Sequence, residues 1–188
     1  MRRMVGRLGL WLMGWRVVGG LPEGARAVLV GHPHTSTWDF PLAVLATWSM
    51  GVDMKYIGKA SLFNGPFAWL FRGLGGIPVD RSKTSDTVAQ IAERFALGES
   101  LVLGIAPSGT RRNGTRWKSG FYHIARAADV PVALGFIDFS TRRVGVADVI
   151  DLTGDVAVDM ARVREAYRGI EGRNPQSQCP VVLADEEE

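Results

Sequence analysis

The sequence predicts one α/β domain in three layers, with a mostly parallel central sheet flanked by helices. The chain has 188 residues, which is enough for a single domain with a substantial core. After Pro22, short apolar segments that suit strands alternate with longer segments that suit helices. Polar motifs follow several of these strands, at the edge where open α/β sheets bind ligands. We divide the chain into an amphipathic helix over residues 1–20, the folded domain over 21–175 and a C-terminal tail over 176–188.

The first half of the domain contains three predicted strands and two predicted helices. Short apolar runs indicate the strands, and a long apolar stretch indicates a buried helix. Pro66 suits the first turn of the next helix. Pro78 lacks a backbone donor, so its strand is expected at an edge of the sheet. The predicted strands are 27–30, 54–58 and 77–79, and the predicted helices are 40–50 and 66–71.

The second half continues the alternation. Ser85 is a plausible N-cap and Gly98 a stop for an amphipathic helix. An uninterrupted apolar run predicts a buried strand, and a late segment with alternating apolar residues predicts a half-exposed one. The predicted helices are 85–97, 117–128 and 159–167, and the predicted strands are 101–106, 132–137 and 143–149.

The N-terminal segment has a broad apolar helical face, with its arginines off that face. We interpret it as a helix at an anionic membrane surface, with tryptophan and arginine at the headgroup level. A helix packed on the domain's own core and a signal peptide are the alternatives. The eight uncharged residues between Arg7 and Arg16 are too few for a membrane span, which needs about 20. The apolar positions are Met4, Val5, Leu8, Trp11, Leu12, Trp15 and Val18.

Charge and cysteine content narrow the class of protein. The net charge is +3, and basic residues concentrate in residues 1–26 and again in 111–118. Basic residues beside tryptophans favour an anionic lipid surface, and we expect no nucleic-acid partner because no nucleic-acid-binding module is evident. The single cysteine, Cys179, cannot form an internal disulfide, which fits a reducing compartment.

A histidine and an aspartate, His34 and Asp39, follow the first predicted strand. With His34 in the loop and Asp39 in the first turn of the next helix, the carboxylate can orient the imidazole as a general base. A surface histidine beside a capping aspartate is the structural alternative. His32 and His34 with Asp39 also resemble a metal-ligand cluster, but no helical histidine pair or cysteine pair supports one, so we expect no metal.

Two further motifs suit an anion. Arg81 follows the edge strand and has the planar geometry for bidentate phosphate contact, although an ion pair with Asp80 is the alternative. The other motif is the loop of Ser108, Gly109, Thr110 and Arg111, which follows the buried strand and precedes a helix. Its glycine turn, hydroxyl and guanidinium, with the backbone amides of the loop, indicate an anion site. A plain basic loop is the alternative there.

Together the motifs resemble the glycerolipid acyltransferase family, which acylates lysophosphatidic acid and related acceptors. Its H-x4-D motif matches His34 and Asp39, and its second motif, ending in arginine, matches residues 76–81. Its third is usually Pro-Glu-Gly-Thr-Arg, and this chain has serine at 108 where the family has glutamate. Its fourth, a proline among apolar residues, matches residues 130–132. The match spans most of residues 28–138.

The resemblance implies acyl transfer from a thioester of CoA or acyl carrier protein to a lysophospholipid hydroxyl, at the cytoplasmic face of a membrane. His34 and Asp39 would form the catalytic dyad, and Arg81 and Arg111 would hold the acceptor phosphate. No metal or organic cofactor is implied. Ser108 puts the identity of the acceptor in doubt and suggests a catalytically weak lipid-binding module as one alternative function. A metal-dependent hydrolase built on His32, His34 and Asp39 is the other alternative.

Overall fold

A computed structural model describes residues 1–22, 24–59, 63–79, 84–96, 100–184 and 186. Within these residues the chain alternates strands with helices, as the sequence predicts. The strands are β1 (Arg16–Val18), β2 (Ala27–His32), β3 (Met54–Lys59), β4 (Gly76–Val79), β5 (Val102–Ile105), β6 (Val132–Asp138) and β7 (Arg143–Ile150). The helices are α1 (Arg2–Leu12), α2 (Asp39–Met50), α3 (Ala68–Gly73), α4 (Thr84–Ala96), α5 (Gly120–Ala128) and α6 (Val156–Ala166).

The strands form one sheet in the order β1-β7-β6-β2-β5-β3-β4. Every pairing is parallel except that between β6 and β7. Strand β2 lies near the centre, between β5 and β6, so the loop after it opens at the middle of the carboxyl edge. Strand β4, with Pro78, lies at the edge as predicted. The predicted α/β class with a mostly parallel sheet is confirmed.

Alternate residues of the central strands enter two separate cores. Val28 and Val30 pack in the larger core with helices α4, α5 and α6. Ala27 and Leu29 point to the opposite face, in a smaller core with Val52, next to helix α2. This alternation is the period of two expected of β-strands. It produces the three layers, with helices on both faces of the sheet.

The N-terminal helix is shorter than predicted. Helix α1 ends at Leu12, and Arg16–Val18 forms a strand paired with β7, so the boundary at residue 20 is wrong. Gly6 faces α2 so closely that a Cβ there would lie 2.5 Å from the carbonyl oxygen of Leu45. The helix therefore packs on the domain with its glycine side. The large apolar side chains of the helix that stay exposed are Met4, Val5, Leu8, Trp11 and Leu12.

The segment after residue 175 also differs from the prediction. Cys179 and Leu183 are buried in the larger core, and Leu183 forms a parallel β-bridge with Trp117. A boundary at 176 is therefore misplaced, because residues up to 184 complete the domain. The remaining differences are smaller: the helix predicted to begin at 117 begins at Gly120, and the one predicted from 159 begins at Val156. No described helix is long and apolar enough to cross a membrane.

Candidate active site

His34 and Asp39 meet at the carboxyl end of β2. His34 lies in the loop, and Asp39 is the first residue of α2. The Nδ1 atom of His34 is 3.2 Å from Oδ2 of Asp39, within reach of a hydrogen bond. The predicted pairing of these two residues is therefore present in the structure. If Nδ1 carries the proton that faces Asp39, Nε2 is left to accept one from a substrate.

Asp39 is buried, with 4% of its surface exposed, and its carboxylate organises the loop. Oδ2 accepts hydrogen bonds from the backbone N–H groups of Thr35 and Ser36, each at 2.8 Å. Oδ1 is also buried and has no described partner. The helix cap itself falls on Trp38, which makes no side-chain cap. Asp39 therefore holds the backbone at Thr35 and Ser36, just after His34, as well as the imidazole ring of His34.

His32 does not join this pair. Its ring is buried and packs against the rings of Trp117 and Tyr167, with centroids 5.1 and 4.9 Å away. Burial lowers the pKa of His32 from 6.5 to about 4, so the ring is neutral near pH 7. Among the described residues, no three histidine, cysteine or acidic side chains are grouped as a metal site. His32 is a core residue at the end of its strand.

The loop of the third motif lies beside the same cleft. Gly109, with a φ of +62°, lines the cleft that His34 and Asp39 also line. Ser108 is buried, and its hydroxyl donates to the carbonyl oxygen of Thr110 at 2.9 Å. The side chains of Thr110 and Arg111 are exposed. The structure therefore brings Gly109 to the dyad, while Ser108 shapes the loop and Arg111 stays at the surface.

Lys118 supplies a cation to the cleft that the sequence motifs do not indicate. It lines the cleft with His34, and a Cβ added to Gly109 would lie 3.4 Å from its Nζ. Its backbone N–H donates to the carbonyl oxygen of Pro107 at 2.9 Å, which fixes it beside the third motif. In the sequence, Lys118 is visible only as one of the basic residues of 111–118, just before helix α5.

Arg81, the predicted end of the second motif, lies outside the described residues. The glycines before it are described, and they face protein atoms. A Cβ at Gly75 would lie 2.4 Å from the carbonyl oxygen of Met54, and one at Gly76 would lie 2.7 Å from the ring of Phe63. The structure assigns them to packing of β4 against β3 and Phe63.

A mainly apolar cavity of about 480 Å³ opens at the dyad. Its lining follows helix α2 from Phe40 to Met50, and Met54 closes the same side. Glycines of the sheet, which add no side-chain bulk, contribute to the walls. They are Gly31, Gly104, Gly135 and Gly145. The arrangement can hold a long apolar group with its reactive end at His34.

The sequence profile of the acyltransferase family matches residues 16–133. The chain belongs to the acyltransferase family. The family prediction and the predicted class of enzyme, an acyltransferase, are thereby confirmed. The crystal structure of the 1-acyl-sn-glycerophosphate (LPA) acyltransferase PlsC from Thermotoga maritima is similar to this acyltransferase in fold. It has a TM-score of 0.55 and 18% identity, over 80% of this chain and 67% of that chain. No curated protein sequence matches the chain.

The family match ends before a C-terminal segment that braces the site of this acyltransferase. Asn174 donates from its side-chain amide to the carbonyl oxygen of Thr35 at 2.8 Å, and from its backbone N–H to the hydroxyl of Thr35 at 3.2 Å. A Cβ at Gly172 would lie 2.6 Å from the same hydroxyl. Thr35 is the neighbour of His34, so this segment holds the loop of His34 and Asp39 from outside. Sequence reasoning missed it, because no local pattern links residues so far apart.

Proposed function

We propose that this acyltransferase moves a fatty acyl group from a thioester of CoA or acyl carrier protein to a hydroxyl of lysophosphatidic acid or a related lysophospholipid. The observation that carries the proposal is the His34–Asp39 pair at the mouth of an apolar cavity, with Lys118 beside it. The PlsC fold similarity supports the choice of acceptor, because that protein is described as a 1-acyl-sn-glycerophosphate acyltransferase.

In the proposed mechanism, His34 acts as the general base. Its Nε2 takes the proton from the acceptor hydroxyl while Nδ1–H donates to Asp39, which stabilises the imidazolium that forms. The hydroxyl oxygen bonds to the thioester carbonyl carbon, and the carbon–sulfur bond then breaks. His34 returns its proton to the departing thiolate, so the products are an ester and a thiol. No acyl-enzyme and no cofactor take part.

Cations near the cleft suit the acceptor's phosphate. Lys118 lines the cleft itself, and Arg111 lies in the exposed part of the adjoining loop. Arg81 remains a predicted contributor. A lysine acts on phosphate as a point charge, whereas an arginine can bind two oxygens at once. Ser108 through Arg111 are proposed to form the substrate-binding loop, with Gly109 allowing close approach at the cleft.

The cavity beside α2 suits the acyl chain. From Asp39 to Met50 the helix spans about 16 Å at 1.5 Å per residue. Each methylene buried along this wall contributes about 0.8 kcal/mol of apolar transfer free energy. Met50, the last residue of α2, lines the cavity, and so does Met54. We infer that the length of this wall limits the chain that the enzyme accepts.

Helix α1 suits peripheral attachment to an anionic membrane. Its glycine side faces α2, so its apolar side chains face outward, and Trp11 is 73% exposed. Arg7, at the same surface, is exposed too. Apolar side chains flanked by arginines are typical of helices that lie in a membrane interface. With a CoA or acyl carrier protein donor, the enzyme would work at the cytoplasmic face of that membrane.

A matrix of donors and acceptors tests the proposal. Purified protein is incubated with acyl-CoA or acyl carrier protein thioesters and with lysophosphatidic acid, other lysophospholipids or no acceptor, and products are identified by mass spectrometry. We expect phosphatidic acid or a related diacyl product that is absent with His34→Ala. Free fatty acid formed equally without acceptor would indicate a hydrolase. Binding without turnover would indicate a lipid-binding module.

A further inference from the structure

Arg173 occupies the rim of the catalytic loop, in a segment beyond the family match. Its two chain neighbours, Gly172 and Asn174, both contact Thr35, the residue after His34. Its guanidinium carbon lies 5.9 Å from the ring centroid of Trp38, which directly precedes Asp39. The side chain therefore lies over the residue that precedes Asp39, and its two chain neighbours contact the residue that follows His34.

Arg173 has no acidic partner among the described residues. Within the described part of the chain its guanidinium forms no ion pair, and its described contact is the face of Trp38. Other exposed arginines are paired, such as Arg164 with Glu186 and Arg168 with Glu165. Stacking on an indole orients a guanidinium and leaves its edge N–H groups available to an anion.

We propose that Arg173 binds the phosphate of the acyl acceptor and so selects acceptors with an anionic headgroup. This inference rests on the proposed function. In a lysophosphatidic acid, the reacting hydroxyl and the phosphate are on neighbouring carbons of one glycerol. When the hydroxyl is at His34, the phosphate must therefore lie at the rim of the same loop. Arg173 and Lys118 then provide cations from two different segments, one C-terminal and one beside the third motif.

The same geometry argues for the acceptor rather than the donor. A long pantetheine arm separates the thioester carbonyl of acyl-CoA from its nucleotide phosphates. When that carbonyl is at His34, those phosphates lie far from the loop. A guanidinium beside Thr35 and Trp38 is therefore placed for the smaller molecule. A phosphomonoester also accepts two parallel N–H donors, the contact for which arginine is best suited.

Steady-state kinetics of Arg173→Ala and Arg173→Lys test this assignment. The matched control is Arg168→Ala, which removes an exposed arginine that already pairs with Glu165. Acceptors are short-chain lysophosphatidic acid and the uncharged monoacylglycerol, and donors are acyl-CoA and acyl-pantetheine, which lacks the nucleotide. We expect Arg173→Ala to raise KM for lysophosphatidic acid about tenfold at low salt, with kcat little changed. KM of Arg173→Lys should lie between those of the wild type and Arg173→Ala, and KM of Arg168→Ala should match that of the wild type.

Three outcomes would overturn the assignment. The first is a rise in KM for monoacylglycerol as large as that for lysophosphatidic acid. The second is a change in KM for acyl-CoA but not for acyl-pantetheine. The third is an unchanged KM for lysophosphatidic acid. If the wild type acylates no lysophospholipid, the proposed function fails, and binding of sn-glycerol 3-phosphate to wild type and Arg173→Ala is measured by calorimetry instead. Weaker binding to the variant would retain an anion site at Arg173. Equal binding, or none to either protein, would reject it.

Discussion

One oxygen of Asp39 serves both the imidazole of His34 and the loop around it. Oδ2 is 3.2 Å from Nδ1 of His34 and 2.8 Å from the backbone nitrogens of Thr35 and Ser36. Since two backbone donors and the imidazole nitrogen converge on this atom, the orientation of the ring and the conformation of the loop depend on one carboxylate. Substitutions at His34 and Asp39 should therefore have different consequences for folding.

His34→Ala should remove most of the turnover and leave stability nearly unchanged. The side chain is partly exposed, and its proposed role is to accept a proton from the substrate, not to pack in the core. General-base catalysis typically contributes roughly 10²- to 10⁴-fold, so kcat should fall by about that factor. Turnover and thermal unfolding of the purified variant check this. A variant that kept most of its kcat would rule out His34 as the base.

Asp39→Asn and Asp39→Ala should separate the two tasks of the carboxylate. Asparagine keeps an acceptor for the backbone of Thr35 and Ser36 but loses the charge, so kcat should fall strongly with a smaller change in stability. Alanine leaves two backbone donors of the loop without their acceptor, which should lower the free energy of unfolding by about 1–3 kcal/mol more. Urea unfolding alongside kinetics measures both. Equal stability of the two variants would contradict the bracing role.

The buried ring of His32 should make stability depend on pH. Its pKa is about 4 in the folded protein and near 6.5 when unfolded, so the unfolded chain binds more protons between these values. The contribution of His32 to the free energy of unfolding is therefore fully present above pH 6.5. Up to about 3 kcal/mol of it is lost as the pH falls towards 4. Urea unfolding from pH 7 to 4.5 should show this slope. His32→Asn should flatten it, and an unchanged slope would assign the effect to other groups.

Ser108→Glu should lower kcat/KM for lysophosphatidic acid, by about tenfold, or about 1.4 kcal/mol of transition-state stabilisation. The position is buried beside Gly109 and Lys118, so a new carboxylate would place negative charge where the acceptor phosphate is proposed to bind. Ser108→Gln is the control, because it adds similar bulk without charge. A rise in activity with Ser108→Glu alone would indicate a degraded family site rather than one adapted to a different acceptor.

Polar substitutions on the outer face of α1 should weaken membrane association without unfolding the domain. Truncating residues 1–20 would also remove β1, so Trp11→Gln with Leu12→Gln is the sharper test. Val158→Gln, at an exposed position of α6, is the control. Flotation with anionic vesicles should fall for the α1 variant and should fall for all proteins with added salt. Unchanged flotation of the α1 variant would restrict this helix to packing on α2.

The catalytic loop and the central strands were predictable because their signals are local. His34 and Asp39 are close in sequence, and apolar runs mark β2, β5 and β6 directly. Strand β1 was not predictable, since its three residues lie within an amphipathic pattern and become a strand only by pairing with β7. The extent of α1 was overestimated for the same reason.

The C-terminal contributions to the site required the folded chain. Asn174 reaches Thr35 across 139 residues of sequence, and neither residue has a neighbour pattern that predicts the contact. Leu183 likewise sits in a short apolar run just before an acidic tail, and its burial and its β-bridge to Trp117 show that it is core. Lys118 was visible as a basic residue before a helix, but its place in the cleft depends on how the third-motif loop folds back on Pro107.

The bridge from Leu183 to Trp117 and the bonds from Asn174 to Thr35 also bear on synthesis. During translation, His34, Asp39 and the third motif leave the ribosome well before these two braces do. Until then the loop of His34 and Asp39 lacks the partners of Thr35, and Trp117 lacks its β-bridge to Leu183. A nascent chain therefore contains both residues of the pair before it has the segment, residues 172–184, that braces their loop.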